Sequence, residues 1–169
     1  TRGTVIGRGE ATVSTIEHAL AALYAAGIDN CLIKVNGSEL PILDGSAKEY
    51  CEKIAASGVT EQKSEKEYYI VKQKTEIRDE ATGASIVVLP DSDLSVDVMV
   101  DYKSPVLSFQ YATLERMEDF PTEIAASRTF VFVREIEPLV KGNLIKGGDL
   151  DNAVVTVSYT HLRAHETVL

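Results

Sequence analysis

The apolar positions change their period along the chain, and each change marks an element. From Ile16 to Ala26 the residues are apolar nearly all the way round, with Ile16, Leu20 and Leu23 in helical register. Ser14 and Glu17 fit a Ser-x-x-Glu capping box at the start of that helix, and Gly27 is its stop. "CLIKV", residues 31–35, then alternates as a strand. Asn36-Gly37 is a hairpin signal, so "ELPIL" is expected to return antiparallel. Asp44-Gly45 makes the next turn, and Ser46 with Glu49 forms a second capping box before a helix that Gly58 ends.

Residues 59–67, "VTEQKSEKE", contain no apolar run and read as a linker. Strand-like segments follow: "YYIVKQKTEI", then "ASIVVL" after a turn at Ala81-Thr82-Gly83, then "LSVDVMVDY". The third sets Leu94, Val96, Val98 and Val100 against Ser95, Asp97 and Met99, as in a sheet with one buried face. A helix is expected over 117–127, a strand at "RTFVFV" and at most a short helix at "REIEPLV". Gly147-Gly148 is read as a turn before a last strand at "NAVVTV". The order of elements predicts an α+β fold with helices on one face of a sheet. The linker divides it into a first domain ending at residue 58 and a second spanning 68–156.

Composition narrows the function. Seventeen basic against 26 acidic residues give a net charge of −9, which argues against nucleic-acid binding and leaves an anionic substrate to local Lys or Arg. Nothing resembles a signal peptide or a membrane span, and two cysteines, Cys31 and Cys51, are too few for a secreted disulfide framework. They are buried thiols or a pair, and a cytoplasmic home with no stable membrane insertion is expected. Of the three histidines, His161 and His165 stand four apart in "VSYTHLRAHETVL". That segment, 157–169, resembles the translation of a sequencing-library adapter, so it is set aside from fold and site alike, and the native part of this sequence is expected to be cut short near Thr156. His18 then remains, beside Glu17, on a helix apolar enough to be buried. A carboxylate and an imidazole there are costly unless satisfied at a wet helix end or facing a site. Structural roles are open to both: Glu17 as a cap partner, His18 as an imidazole bonded in the first turn.

"TIEHALAALYAAGIDNCLIKVNGSELPILDGSA" strongly resembles the zinc-dependent UDP-3-O-acyl-N-acetylglucosamine deacetylases of lipid A synthesis in Gram-negative bacteria. "SRTFVFVREIEPL" and "NLIKGGDLDNAVV" resemble the same family's later signature, so the likeness runs from Thr1 to Thr156. It implies two domains of similar layered topology around a cleft, both incomplete here, the second with a βαβ insert at about 130–155. It implies that His18 is a zinc ligand, that Glu17 is the general base of a zinc-activated water, and that the Thr129 hydroxyl stabilises the oxyanion. Phe132, Ile136, Ile145, Leu150, Ala153 and Val155 would line an apolar passage for the substrate's acyl chain, or else serve as ordinary core. Thr129, likewise, could be a plain strand residue.

The family's other two zinc ligands, a histidine and an aspartate four apart, its neighbouring lysine and its general-acid histidine all fall beyond Thr156. His161 and His165 do not replace them. The resemblance therefore implies a deacetylating gene product, with a fused hydroxyacyl-carrier-protein dehydratase domain in some members, but a 169-residue chain that is inactive and does not hold zinc tightly. Two rivals stand beside it: a non-catalytic α+β scaffold or binding module, and another metallohydrolase using His18 with unrelated ligands.

Overall fold

Residues 3–103, 107–142 and 148–156 are described by a computed structural model. The calls on Ile145, on the Gly147 side of the turn, and on His161 and His165 lie outside the described residues. Helices and small two-stranded sheets alternate, which makes the fold α+β. The chain opens with an antiparallel hairpin, β1 (Val5–Arg8) and β2 (Ala11–Ser14), turning through Gly9-Glu10.

Helix α1 (Glu17–Ala25) follows, and it begins later than the capping box required. Ile16 occupies the N-cap position without a side-chain cap. Ser14 instead uses its hydroxyl on the Ser38 carbonyl (3.2 Å), because 38–40 runs parallel beside it. The expected apolar line is also corrected. Ile16, Ala19 and Ala22 are buried, whereas Leu20 is 47% exposed, because small residues let α1 approach its neighbours closely. Gly27 does end the helix. At φ +69 it takes the left-handed conformation, with Gly27 N–H donating to the Tyr24 carbonyl and Ile28 N–H to that of Leu23, a Schellman closure.

The hairpin expected at 31–43 is not formed. Residues 31–35 belong to no strand, and Leu32 is 81% exposed. Leu40 N–H is engaged instead by the Ser14 carbonyl (3.1 Å), so the returning arm pairs with β2 rather than with "CLIKV". Helix α2 (Lys48–Ser57) carries Ala47 at its N-cap. Ser46 accepts from Lys48 N–H (3.1 Å) one residue earlier than the box would place it, and no Glu49 bond completes a box among the described residues.

Beyond the exposed segment 59–67 come two antiparallel ribbons, β3 (Thr75–Arg78) with β4 (Ser85–Val88), and β5 (Val96–Val100) with β6 (Gln110–Leu114). The buried face expected of β5 is open: Val96 and Val98 are 40% and 47% exposed, and only Val100 is half-buried. A 3-10 turn (Met117–Asp119) runs into α3 (Phe120–Glu123). Then β7 (Phe130–Phe132), α4 (Val133–Lys141) and β8 (Val154–Thr156) form a βαβ unit, with β7 and β8 parallel. The helix α4 reaches nine residues because Glu135 turns back to accept from Phe132 N–H (3.2 Å) at its start.

The core lies in two clusters. Ile16, Ala19 and Leu40 pack with Val13, Val35 and Tyr50. Ala47, Leu114, Phe120 and Ala125 pack with Ala21, Ala25 and Cys51, so this cluster joins residues from both sides of 59–67. Cys31 and Cys51 are free thiols, not a pair, and burial pushes the Cys51 thiol upward.

Candidate active site

The site is assembled where three stretches meet: the start of α1, the loop 44–47 and the segment 125–129. Ser14 N–H donates to the Ser38 carbonyl (2.9 Å), which fixes the end of β2 against the returning chain. Thr15 then takes φ +58, a strained value for a β-branched residue, and its hydroxyl reaches Glu39 Oε1 at 2.5 Å. This sharp entry places Glu17 and His18 in the first turn of α1, both partly exposed rather than sealed in hydrocarbon.

Across the chain, Thr129 Oγ1 lies 3.3 Å from His18 Nε2, a contact between residues 111 apart in sequence. Thr129 is exposed and sits between two backbone bonds: its N–H donates to the Gly45 carbonyl (2.7 Å), and its carbonyl accepts from Val154 N–H (2.9 Å). Glu17 points elsewhere. Its Oε2 accepts from Thr4 N–H (3.2 Å), and among the described residues no bond joins it to His18 or Thr129. Successive helical residues diverge by about 100°, so adjacency in sequence does not aim both side chains alike.

The loop beneath is tightly built. Ser46 is fully buried and satisfied on both sides, donating its hydroxyl to Asp44 Oδ1 (2.7 Å) and accepting from Lys48 N–H. Burial alone would raise the Asp44 carboxyl. Bonds from the Ser46 hydroxyl and N–H, with the nearby Arg128 guanidinium, bring it below its ordinary value instead. Arg128 Nε donates to the Asp44 carbonyl (2.7 Å), and its Nη2 to the carbonyls of Leu150 (3.1 Å) and Asp151. Gly45 is buried at φ +81, and a Cβ there would collide with the Asn152 carbonyl oxygen. Arg128, Asp44 and Gly45 were not singled out as site residues from sequence. The signal available was that Asp44-Gly45 and Arg128 sit inside the quoted family-like stretches.

The expected passage residues do not share one surface. Phe132 is buried, edge-on to Phe130 (5.8 Å) and Tyr102 (6.3 Å) and beneath the Arg134 guanidinium (4.5 Å). In the β7–β8 register Phe132 pairs with Thr156 and Val131 with Val155, so Phe132 and Val155 face opposite sides. Leu150 is 73% exposed and contributes its carbonyl to Arg128. Ile136 and Ala153 are half-buried, on α4 and just before β8. A cavity of about 220 Å³ opens on the Phe130 side, lined by Tyr102, Leu107, Arg128, Phe130, Val154 and Thr156. A larger one, about 440 Å³, lies between α1 and α2 and touches none of Glu17, His18 or Thr129.

His18 offers one imidazole nitrogen, and among the described residues no group of three His, Cys, Asp or Glu side chains gathers as a metal centre requires. The described residues therefore do not by themselves fit a complete zinc site.

His18 of α1 meets Thr129, the residue before the βαβ unit, on a mixed α+β fold, and the comparison with family models puts the chain in a class of hydrolase, the deacetylases. The chain belongs to one family of that class: the model described as LpxC, UDP-3-O-acyl N-acetylglycosamine deacetylase, matches residues 1–167. A bifunctional enzyme LpxC/FabZ of Bacteroides thetaiotaomicron is 61% identical over 92% of this chain and 34% of its own length. One from Porphyromonas gingivalis is 54% identical over 91% of the chain and 33% of its own. A UDP-3-O-acyl-N-acetylglucosamine deacetylase of Anaeromyxobacter sp. is 41% identical, covering 94% of the chain and 52% of that relative. The chain thus spans about a third of the bifunctional relatives and about half of the deacetylase. Among the described residues no helix is long and apolar enough to cross a membrane.

Proposed function

We propose that the protein hydrolyses the N-acetyl group of UDP-3-O-acyl-N-acetylglucosamine, a cytoplasmic step of lipid A biosynthesis in a Gram-negative bacterium. The observation that carries this reading is the 3.3 Å contact between His18 Nε2 and Thr129 Oγ1, which unites residues from the two family-like stretches. In this reading His18 is one zinc ligand, and the others come from outside the described residues. Zinc held there would supply Lewis acidity and a more acidic water.

The chain's own residues do the rest. Glu17 takes the proton from the attacking water, which requires its carboxylate to leave Thr4 N–H and turn toward His18; that bond is a single exposed one and costs little to exchange. Thr129 donates its hydroxyl to the oxyanion of the tetrahedral intermediate. The βαβ unit holds the acyl chain, at about 0.8 kcal/mol per buried methylene. Domain division at 59–67, around a cleft holding this site, belongs to the same reading. So does a fused hydroxyacyl-carrier-protein dehydratase, supported by relatives named as bifunctional.

The test is acetate release from UDP-3-O-acyl-N-acetylglucosamine by the protein expressed from the intact gene. Activity is expected, with loss of about 100-fold or more in Glu17→Gln and loss of bound zinc in His18→Ala. Product formation unaffected by either change would overturn the assignment. The 169-residue chain alone is expected to take up zinc weakly; tight stoichiometric uptake that survives His161→Ala and His165→Ala would contradict the ligand assignment.

A further inference from the structure

The Thr129–His18 contact depends on how Thr129 is held by the chain around it, and the neighbouring side chain reaches both the 44–47 loop and the 149–152 turn. Arg128 spans from the Asp44 carbonyl through Nε to the Leu150 and Asp151 carbonyls through Nη2. Thr129 is gripped by its backbone beside both contacts, by Gly45 in the same loop and by Val154, which follows the 149–152 turn in β8. We propose that Arg128 is a positioning residue, a guanidinium strut that locks the 149–152 turn to the 44–47 loop and so sets the Thr129 hydroxyl against His18.

The chemistry suits arginine alone. Its planar fork presents diverging N–H groups in a fixed geometry, and the cation is permanent, so bonds to neutral carbonyls are charge-assisted. Lysine carries its three donors on a single nitrogen and so cannot span carbonyls as far apart as Nε and Nη2 do. The Asp44 carboxylate does not compete for the strut, being held by the Ser46 hydroxyl (2.7 Å) and N–H (3.0 Å). The loop cannot shift to compensate either, because Gly45 lies against the Asn152 carbonyl. Strain at Leu43 (φ +52), just before Asp44, belongs to the same over-determined turn.

The consequence for catalysis rests on the deacetylase reading; the consequence for geometry does not. Two arms separate them. In the labelled 169-residue chain, nuclear Overhauser contacts between the Thr129 side chain and the His18 ring are expected, and are expected to vanish in Arg128→Ala and Arg128→Lys with α1–α2 contacts intact. In the zinc-loaded full-length enzyme, Arg128→Ala is expected to lower kcat by about as much as Thr129→Ala, roughly 100-fold, with KM little changed. The double variant should be no slower than either single one, and added guanidinium should restore part of the Arg128→Ala loss. Persistence of the Thr129–His18 contact in a folded Arg128 variant overturns the proposal, as do multiplying losses in the double variant. Unfolding of both Arg128 variants overturns it too, by making Arg128 a residue of general stability. A wild-type enzyme without deacetylase activity defeats the functional reading and leaves the first arm to decide.

Discussion

Helices α1, α2 and α3 are tied together, whereas the ribbon β3–β4 stands almost bare and β5–β6 joins the helical core, among the described residues, only through Leu114. Around the helices Ala22 and Ala125 are each 1% exposed and Phe120 is 9%, and Ala47 N–H donates to the Ala125 carbonyl (3.0 Å) across the chain. On the ribbons Ile77, Ile86 and Met99 are 68%, 67% and 71% exposed. Both regions carry apolar residues at the period their secondary structure demands. The difference lies in whether a second surface meets them, and a two-stranded ribbon with neither face covered has little to hold it. The candidate site stands on the helical side: His18 comes from α1, and Thr129 is held by the loop that leads into α2.

Four changes would sharpen or break that contrast. The largest effect is expected from Phe120→Ala, which empties the cluster shared by Ala47, Leu114 and Ala125; a loss of about 3 kcal/mol in urea unfolding is expected. A loss below about 1 kcal/mol would mean the helical core is as loose as the ribbons.

Gly45→Ala comes next. It forces a side chain into the left-handed region and against the Asn152 carbonyl, for about 2 kcal/mol or more, and it should separate Thr129 from His18. The same unfolding experiment reads the first effect and the Thr129–His18 Overhauser contact the second.

The third concerns acid. Asp44 is brought below its ordinary value in the folded chain, so the folded state binds fewer protons there than the unfolded state. Its contribution is complete above the unfolded value of about 4 and fades as pH falls through the lower folded one. Comparing urea midpoints at pH 7 and pH 3, Asp44→Asn should shrink the acid-induced loss seen in the wild type. An unchanged difference would remove Asp44 from the loop's electrostatics.

The smallest effect belongs to the ribbons. Ile86→Ala should shift stability by no more than about 0.5 kcal/mol, and β3–β4 amides should exchange with solvent far faster than those of α1. Slow exchange there would show that the ribbon is covered in solution and would dissolve the contrast.

Local signals were read well where a few consecutive residues settle the geometry. Gly27 and Gly58 end their helices, the turn at Ala81-Thr82-Gly83 joins β3 to β4, and the alternating stretch at 96–100 is a strand. The candidate pair Glu17-His18, and Thr129 with it, could be named from the family resemblance. The capping boxes failed because Ser14 and Ser46 found other partners: a carbonyl 24 residues away for the first, an adjacent carboxylate for the second. The 31–43 hairpin failed for a related reason, since Leu40 pairs back to Ser14. Such competition is invisible to a window that holds only one of the competitors.

The order of amino acids by itself determined where the backbone turns, which segments coil or extend, and which side chains have the chemistry for a hydrolytic site. Those properties depend on φ preferences, on period and on functional groups, all carried within a few residues. Only the tertiary structure decided that Thr129 meets His18, that Glu17 rests on Thr4, that Arg128 braces the loop between them, and which apolar stripes are covered. Each of these is a contact between remote segments. Its energy is gained only once the chain has closed the loop that brings them together.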